Sequence, residues 1–387
     1  MLRILYCTDT LMAGGVEHQM TELITRLDRT RFEPHVLCLY GEKVGRSLHF
    51  HDQLAAANVP LQVLNLGWGA NDKLKGIGAI IRATWHIRPH ILHSVNYHSN
   101  LLSRLARPML PPNVRLIGAV QNEYTPKMLR YERWGRWLSS AIVCNSERIR
   151  RTLIDVARLS PERAVCIYNG VDTERFSHAP DPDLKTRLGT DADCVVVMIG
   201  RISKQKSPHL LAQAVGLLKQ HGQLAKDVQV FIIGESDGKG DPFLKLLDDA
   251  IDQYQLADIV HQHPKTSQPE AFYHAADFTV LASLWEGLPN VILESLAAGR
   301  PVIVSEAANN AGVIEQGVNG WIVRTNDAEH LAETLKGVLT LSDAELAAMR
   351  PACQQTAARF AMQTMVDQYQ ALYERIALNA GKTVPQP

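Results

Sequence analysis

The sequence predicts an α/β protein of two domains, each a parallel sheet covered by helices on both faces. Three observations carry this. Short apolar runs of strand length alternate with amphipathic segments of helical length, and the alternation starts twice. Between the two series lies one polar, proline-bearing stretch with little to bury, "SHAPDPDLKTRLGTDAD". At 387 residues the chain is also longer than one ordinary core accommodates.

The first series opens with "RILYC" and continues through "HVLCLY", "LQVLNL", "HILHSV", "RLIGAV", "AIVCNS" and "AVCIYN". These near-continuous apolar runs suit strands buried on both faces. Val16–Leu27 and Gly76–Ile87 have helical spacing between them. The series sets a first domain over 1–180 and a linker over 181–193. A second domain over 194–360 follows with "CVVVMIG", "VQVFIIG", "DIVHQ", "FTVLAS", "PVIVS" and "GWIVR". Residues 361–380 form a late amphipathic helix, for which the first domain is one packing place. In open sheets of this kind ligands bind beyond the carboxyl ends of the strands, so two facing domains are expected to enclose a cleft.

Composition excludes several classes. Hydrophobic residues make up 46% and charged residues 21%, a globular balance rather than a disordered one. No stretch approaches the roughly 20 apolar residues of a membrane span. "MLRILYCTDT" reads as a strand with Asp9 after it, not as a secretory signal. The six cysteines form no CxxC pair and five sit in strand-like runs, so reduced thiols in a cytoplasmic protein are expected. Net charge is zero, yet residues 1–180 carry 23 Lys and Arg against 15 Asp and Glu. The halves are therefore +8 and −8, which points to different partners for each.

Three loops that follow strands hold residues able to do chemistry. In "MIGRISKQKSPHLLAQA", Arg201 and Lys206 precede a helix with Ser207 as expected N-cap and Pro208 in its first position. Two cations beside free helix N–H groups suit a polyanion such as a diphosphate. Two solvated side chains at a helix start are the plain alternative. In "SLWEGLPNVILESLAAGRPVIVS", Gly287 and Pro289 force a turn and a helix begins near Asn290. Glu294 falls about 7 Å along that helix, too deep to gain from its dipole, and a carboxylate there can accept from both hydroxyls of a ribose. Glu286 stands ahead of the helix and reaches the other end of an elongated ligand. Between them the N–H groups near Leu288 and Asn290 face the phosphates. In "LYCTDTLMAGGVEHQMTELI", Gly14 and Gly15 open a helix where backbone can approach a ligand, or simply make a turn. No GxGxxG is present.

These stretches, in this order over nearly the whole chain, resemble the retaining glycosyltransferases of family four, with the GT-B fold of two Rossmann-like domains. The most specific part is E-x7-E, Glu286 to Glu294, continuing as "ESLAAGRPVIVS"; "GRISKQK", "IYNGVDTERF" and the early Gly-Gly support it. The resemblance implies that Glu294 binds the ribose of a nucleotide-diphosphate sugar and Glu286 the donor sugar. It implies that Arg201 and Lys206 neutralise the diphosphate, that Gly15 admits it, and that the loop at Pro264 contacts the nucleobase. It also implies retention of anomeric configuration. The family often carries His-x-His after the fourth strand; here Val95 takes the second position, and His98 matches a further histidine of some relatives. His98 is the candidate for the reacting centre, with a purely structural histidine as the alternative. Gln121 stands where many relatives have histidine. No cofactor or metal is expected: "DPD" at 181–183 lies in the linker, and cations at the diphosphate take over a metal's task. A nucleotide-sugar epimerase and a non-catalytic sugar-nucleotide binding module are the alternative readings.

The basic half is expected to hold the acceptor, a glycan or lipid-linked glycan of cell-envelope synthesis. Within it "TPKMLRYERWGRWLSSA" places Arg130, Arg133 and Arg136 at intervals of three beside Tyr131, Trp134 and Trp137. A basic, Trp-rich helix rests on anionic membrane surfaces, here the inner face of the plasma membrane. An ordinary helix with its tryptophans in the core is the alternative. No nucleic-acid reader motif is present.

Overall fold

The computed structural model describes residues 1–41, 45, 47–67, 69–177, 189–224, 226–236, 238 and 240–378. Most of the linker expected at 181–193, including the "DPD" stretch, lies outside them. The chain divides into two compact units. One is Met1–Gly170 joined by the chain from Met362 on, and the other is Val171–Ala361.

In the first unit seven parallel strands are β1 (Leu2–Thr8), β2 (Phe32–Cys38), β3 (Leu61–Val63), β4 (Ile91–Val95), β5 (Arg115–Val120), β6 (Ala141–Cys144) and β7 (Ala164–Cys166). Their order is β3-β2-β1-β4-β5-β6-β7. Chain direction across the sheet therefore reverses between β1 and β4, in register from Ile4↔Ile91 to Thr8↔Val95. The apolar runs made this legible, since every residue of β4 and β6 is buried. Only Leu61–Val63 of "LQVLNL" pairs as strand.

The helix Gly15–Arg26 buries Met20, Leu23 and Ile24 at helical spacing against one face. On the same face lies the helix Met362–Leu378, which buries Met365, Val366, Tyr369, Leu372 and Tyr373 in the core formed by Ile4, Tyr6 and Ile91. Tyr373 hydroxyl is 2.9 Å from that of Tyr6 and 2.8 Å from Nδ1 of His93. His93 is fully enclosed, its Nε2 has no partner, and burial lowers its pKa to about 3.

The second unit orders six parallel strands as β10-β9-β8-β11-β12-β13. They are β8 (Cys194–Ile199), β9 (Val228–Ile233), β10 (Val260–His263), β11 (Phe278–Leu281), β12 (Val302–Ser305) and β13 (Gly320–Val323). Here the reversal falls between β8 and β11. The unit starts at Val171 rather than after 180. The "VDTERF" stretch belongs to it because Val171 bridges Ala361 and donates its N–H to Phe360 at 2.8 Å. Phe176 is buried there, with its ring 5.8 Å from that of Tyr273. All six cysteines are free thiols.

Candidate functional site

In each unit the candidate residues, Pro264 excepted, follow the strands at which the order reverses, the place at which open α/β sheets bind ligands. In the second unit the loops leaving β8 and β11 meet there. Gly200 and Arg201 follow β8, and Lys206 precedes the helix Pro208–Gln220. The Lys206 side chain lies over Gly200, where an added Cβ would touch its methylenes at 3.3–3.4 Å. Lys206 Nζ is 2.6 Å from Glu286 Oε1, and both side chains are largely withdrawn from water. An ion pair so placed survives because each charge neutralises the other; removing one partner of such a pair costs about 3–5 kcal/mol.

The loop carrying Glu286 is fastened at several points. Leu284 N–H donates to the Gln205 carbonyl at 2.8 Å, and Gln205 Nε2 returns a bond to the Trp285 carbonyl at 2.9 Å. Asn310 Nδ2 donates to the Glu286 carbonyl at 2.8 Å. The β8 loop and the β11 loop thus hold each other, a link that the sequence did not reveal because its partners lie about 80 residues apart.

Pro208 takes the first helical position as expected, but Ser207 does not cap the helix. It adopts φ 46°, ψ 53° and its hydroxyl donates to the Lys204 carbonyl at 2.7 Å. The left-handed turn at Ser207 ends the loop that carries Lys206, a conformation L-residues adopt at a cost.

The helix Asn290–Ala297 begins after Pro289, at the position expected. Glu294 is half-buried on its second turn, and Tyr273 hydroxyl donates to Glu294 Oε2 at 2.9 Å. Tyr273 is buried, and burial followed by the nearby Glu294 charge raises its pKa well above the ordinary value. It therefore stays a donor and holds the carboxylate through Oε2. Nothing in the sequence marked Tyr273. Leu288 is buried in the turn and Asn290 is half-buried. Arg201 is exposed, and Pro264 is exposed at the end of β10, two strands from β8. Lys206 and Glu286 are joined by a direct contact.

Gly15 and His98 stand on the first unit, at its own reversal point between β1 and β4. Gly15 is exposed in the first turn of its helix, behind Gly14 as N-cap. A side chain at Gly14 would collide with the Glu17 carboxylate, which is why glycine fits there. Glu17 Oε1 accepts from Thr10 hydroxyl at 2.8 Å and from Asn96 at 3.3 Å. Desolvation raises its pKa in spite of these bonds.

Asp9, which follows β1, organises the start of the helix Tyr97–Ala106. Its carboxylate accepts from the N–H groups of His98 at 3.1 Å and Ser99 at 2.6 Å, and from Ser99 hydroxyl at 2.6 Å. The same carboxylate is 3.3 Å from His98 Nδ1. Tyr40 and Tyr97 flank the imidazole edge-on at 5.7 and 5.4 Å. Immediately before, Asn96 takes φ 77°, ψ 169°, a strained conformation of the kind that collects at functional sites. His98 is thus an oriented, partly exposed imidazole rather than a core residue. Gln121 sits beside Asn145, whose side chain donates to its carbonyl at 3.1 Å.

Comparison with known proteins identifies the family and the fold. The family model described as Glycosyltransferase Family 4 matches residues 13–175, and that described as Glycosyl transferases group 1 matches residues 183–357. A D-inositol 3-phosphate glycosyltransferase of Thermobispora bispora is 29% identical over 315 residues, covering 80% of this chain and 70% of that protein. One from Thermobifida fusca is 28% identical over 52% of this chain, which spans about half of that relative's length (48%). Among solved structures, Anabaena Alr3699/HepE in complex with UDP and glucose superposes with a TM-score of 0.84 at 19% identity, over 97% of this chain and 100% of that one. That likeness is one of fold, two parallel-sheet domains of GT-B type.

Proposed function

The chain belongs to the group 1, family 4 glycosyltransferases, and from that premise we propose that it moves a sugar from a nucleoside-diphosphate sugar to a hydroxyl of a glycan or lipid-linked acceptor, with retention at the anomeric carbon and without a catalytic metal. One observation carries the reading: an ammonium, Lys206, clamped by Glu286 where the loops after β8 and β11 leave the reversal point.

In the transfer, the bond from the anomeric carbon to the diphosphate oxygen breaks as negative charge grows on the diphosphate. An ammonium has three N–H donors; Glu286 takes one and two remain for phosphate oxygens. Arg201 adds a second cation from the same loop. Charge stabilisation by groups already in place is the largest single catalytic term in such reactions. The acceptor hydroxyl attacks from the face the diphosphate leaves, and a departing phosphate oxygen takes its proton. The products are the glycosylated acceptor and the nucleoside diphosphate. Glu286, engaged with Lys206, serves to position that cation and the sugar hydroxyls rather than to form a covalent bond. Glu294, aimed by Tyr273, holds the ribose, and the loop at Pro264 the base. Gly15 leaves room for the diphosphate, and His98, aimed by Asp9, is assigned to the reacting sugar.

The Anabaena relative binds UDP and glucose, so UDP-glucose is the first donor to test. Free thiols throughout fit a cytoplasmic setting. The test incubates the purified protein with a panel of nucleotide sugars and acceptors and measures nucleoside diphosphate. Acceptor-dependent release, lost in Glu294→Ala, supports the proposal. An isomerised donor identifies an epimerase instead, and saturable binding without turnover identifies a binding module.

A further inference from the structure

We propose that the outer surface of the first unit's helical layer docks on an anionic lipid bilayer, an inference independent of the catalytic reading. The layer consists of the helix Ala70–Ile87, the helix Tyr97–Ala106 with its following turn Arg107–Met109, and the helix Pro126–Gly135 with the residues up to Trp137. The first two pack on the same sheet face, placing Ile80 and Leu102 against Leu5, Leu92 and Leu116. The third is clamped to the second by a buried bidentate pair, Arg104 Nη1 and Nη2 to Glu132 at 2.8 and 2.6 Å.

The outward side of this layer is apolar where it should be polar. Trp85, Trp134 and Trp137 are 55%, 57% and 63% exposed, and Leu105, Met109 and Tyr131 are exposed with them. The alternative of tryptophans in the core does not hold for Trp134 and Trp137: both are exposed, and the inward side of the helix Pro126–Gly135 is taken by Glu132 and Gly135. Trp85 Nε1 donates to the Met109 carbonyl at 3.1 Å, which ties the helix Ala70–Ile87 to the turn. Outside the Arg104–Glu132 pair, these three segments carry eight Lys and Arg and a single carboxylate, Asp72. Arg136 lies over the Trp137 ring at 4.6 Å, so cation and indole occupy one level.

Indole and phenol rings settle at the headgroup level of a bilayer, and arginine stems lie along apolar surface while their heads seek phosphate. A second copy of the chain does not fit, since two such surfaces would face cation to cation. Anionic lipid headgroups satisfy both the charge and the exposed rings.

Cosedimentation with phosphatidylcholine vesicles, with and without phosphatidylglycerol, tests this. The protein should pellet with the anionic vesicles alone, less as salt rises, with a blue-shifted tryptophan emission. At about fivefold per cation, Arg130→Gln/Arg133→Gln should weaken partitioning about thirtyfold. Trp134→Ala/Trp137→Ala should also weaken it, with melting temperature unchanged because all four side chains are exposed. Failure to bind anionic vesicles overturns the proposal, as does equal binding by both variants. A preference for a single-stranded oligonucleotide over vesicles overturns it in favour of nucleic acid, and a dimer lost in Trp134→Ala/Trp137→Ala overturns it in favour of self-association.

Discussion

Acidification should loosen the first unit through His93, and the size of the effect follows from its surroundings. The imidazole is enclosed by Tyr6, Tyr369 and Tyr373, whose phenols burial keeps neutral by raising their pKa values. Burial lowers the pKa of His93 from 6.5 to about 3 in the folded chain. The folded value lies below the unfolded one, so the unfolded chain binds a proton that the folded chain refuses. The stability is therefore complete above pH 6.5 and is lost as pH falls from there toward 3. At about pH 5 the unfolded imidazole is almost wholly protonated and the folded one almost wholly neutral, a loss of about 2 kcal/mol. For a unit of this size that lowers the melting temperature by roughly 4–8 °C. Calorimetry of the native protein and of His93→Gln at neutral pH and at about pH 5 isolates the term, because the carboxylates contribute to both. His93→Gln keeps a polar partner for Tyr373. Its first-unit transition should fall less on acidification, by that amount. An identical fall in both proteins refutes the assignment of the acid sensitivity to this buried ring.

Four further outcomes follow. Tyr273→Phe removes the donor that aims Glu294 and should raise the donor KM about fivefold to tenfold with little change in kcat, whereas Glu294→Ala should abolish measurable donor binding; steady-state kinetics against donor concentration separates them. Arg201→Ala should lower kcat about a hundredfold with a smaller change in donor affinity, as for other donors that act on developing charge; single-turnover measurements read it. Gly234→Ala should destabilise the second unit and the loop after β8, because its Cβ would run into the Gly200 carbonyl oxygen; a lowered second-unit melting transition checks it. Arg104→Met leaves the Glu132 carboxylate buried without its partner and should cost about 3–5 kcal/mol in the first unit, while the double replacement Arg104→Met/Glu132→Leu should recover most of it.

The strands were legible because parallel strands covered on both faces read as unbroken apolar runs, and that period needs no tertiary information. The E-x7-E spacing was legible because Gly287 and Pro289 punctuate the chain locally. What stayed hidden depends on contacts across long loops. The Lys206–Glu286 pair joins the loops of two strands adjacent only in space, and the Tyr273–Glu294 bond joins two helices across 21 residues. Ser207 has the composition of an N-cap, yet the loop's need to hold Lys206 over Gly200 overrides that preference and turns its hydroxyl back to Lys204. Asp9 stood in plain view after β1, but its task of gathering His98 and Ser99 appears only once β1 and β4 are neighbours. Periodicity likewise cannot tell a buried tryptophan from an exposed one, since the buried face of its helix is built from an ion pair.

The helix Met362–Leu378 completes the core of a unit whose other elements end at Gly170. A ribosome must therefore deliver all of Val171–Ala361 before Tyr369 and Tyr373 can reach Tyr6 and His93. At elongation rates of about 5–20 residues per second this is a wait of about 10–40 s with that face of the first sheet only partly covered. Val171–Ala361, closed on itself by its own terminal bridge, can mature during that interval, so the order of acquisition runs inside-out: the inserted body first, the flanking one last. Chaperone capture during synthesis should accordingly map to the strands β1 and β4, and a stop codon just before Met362 should leave the inserted body intact while its neighbour aggregates.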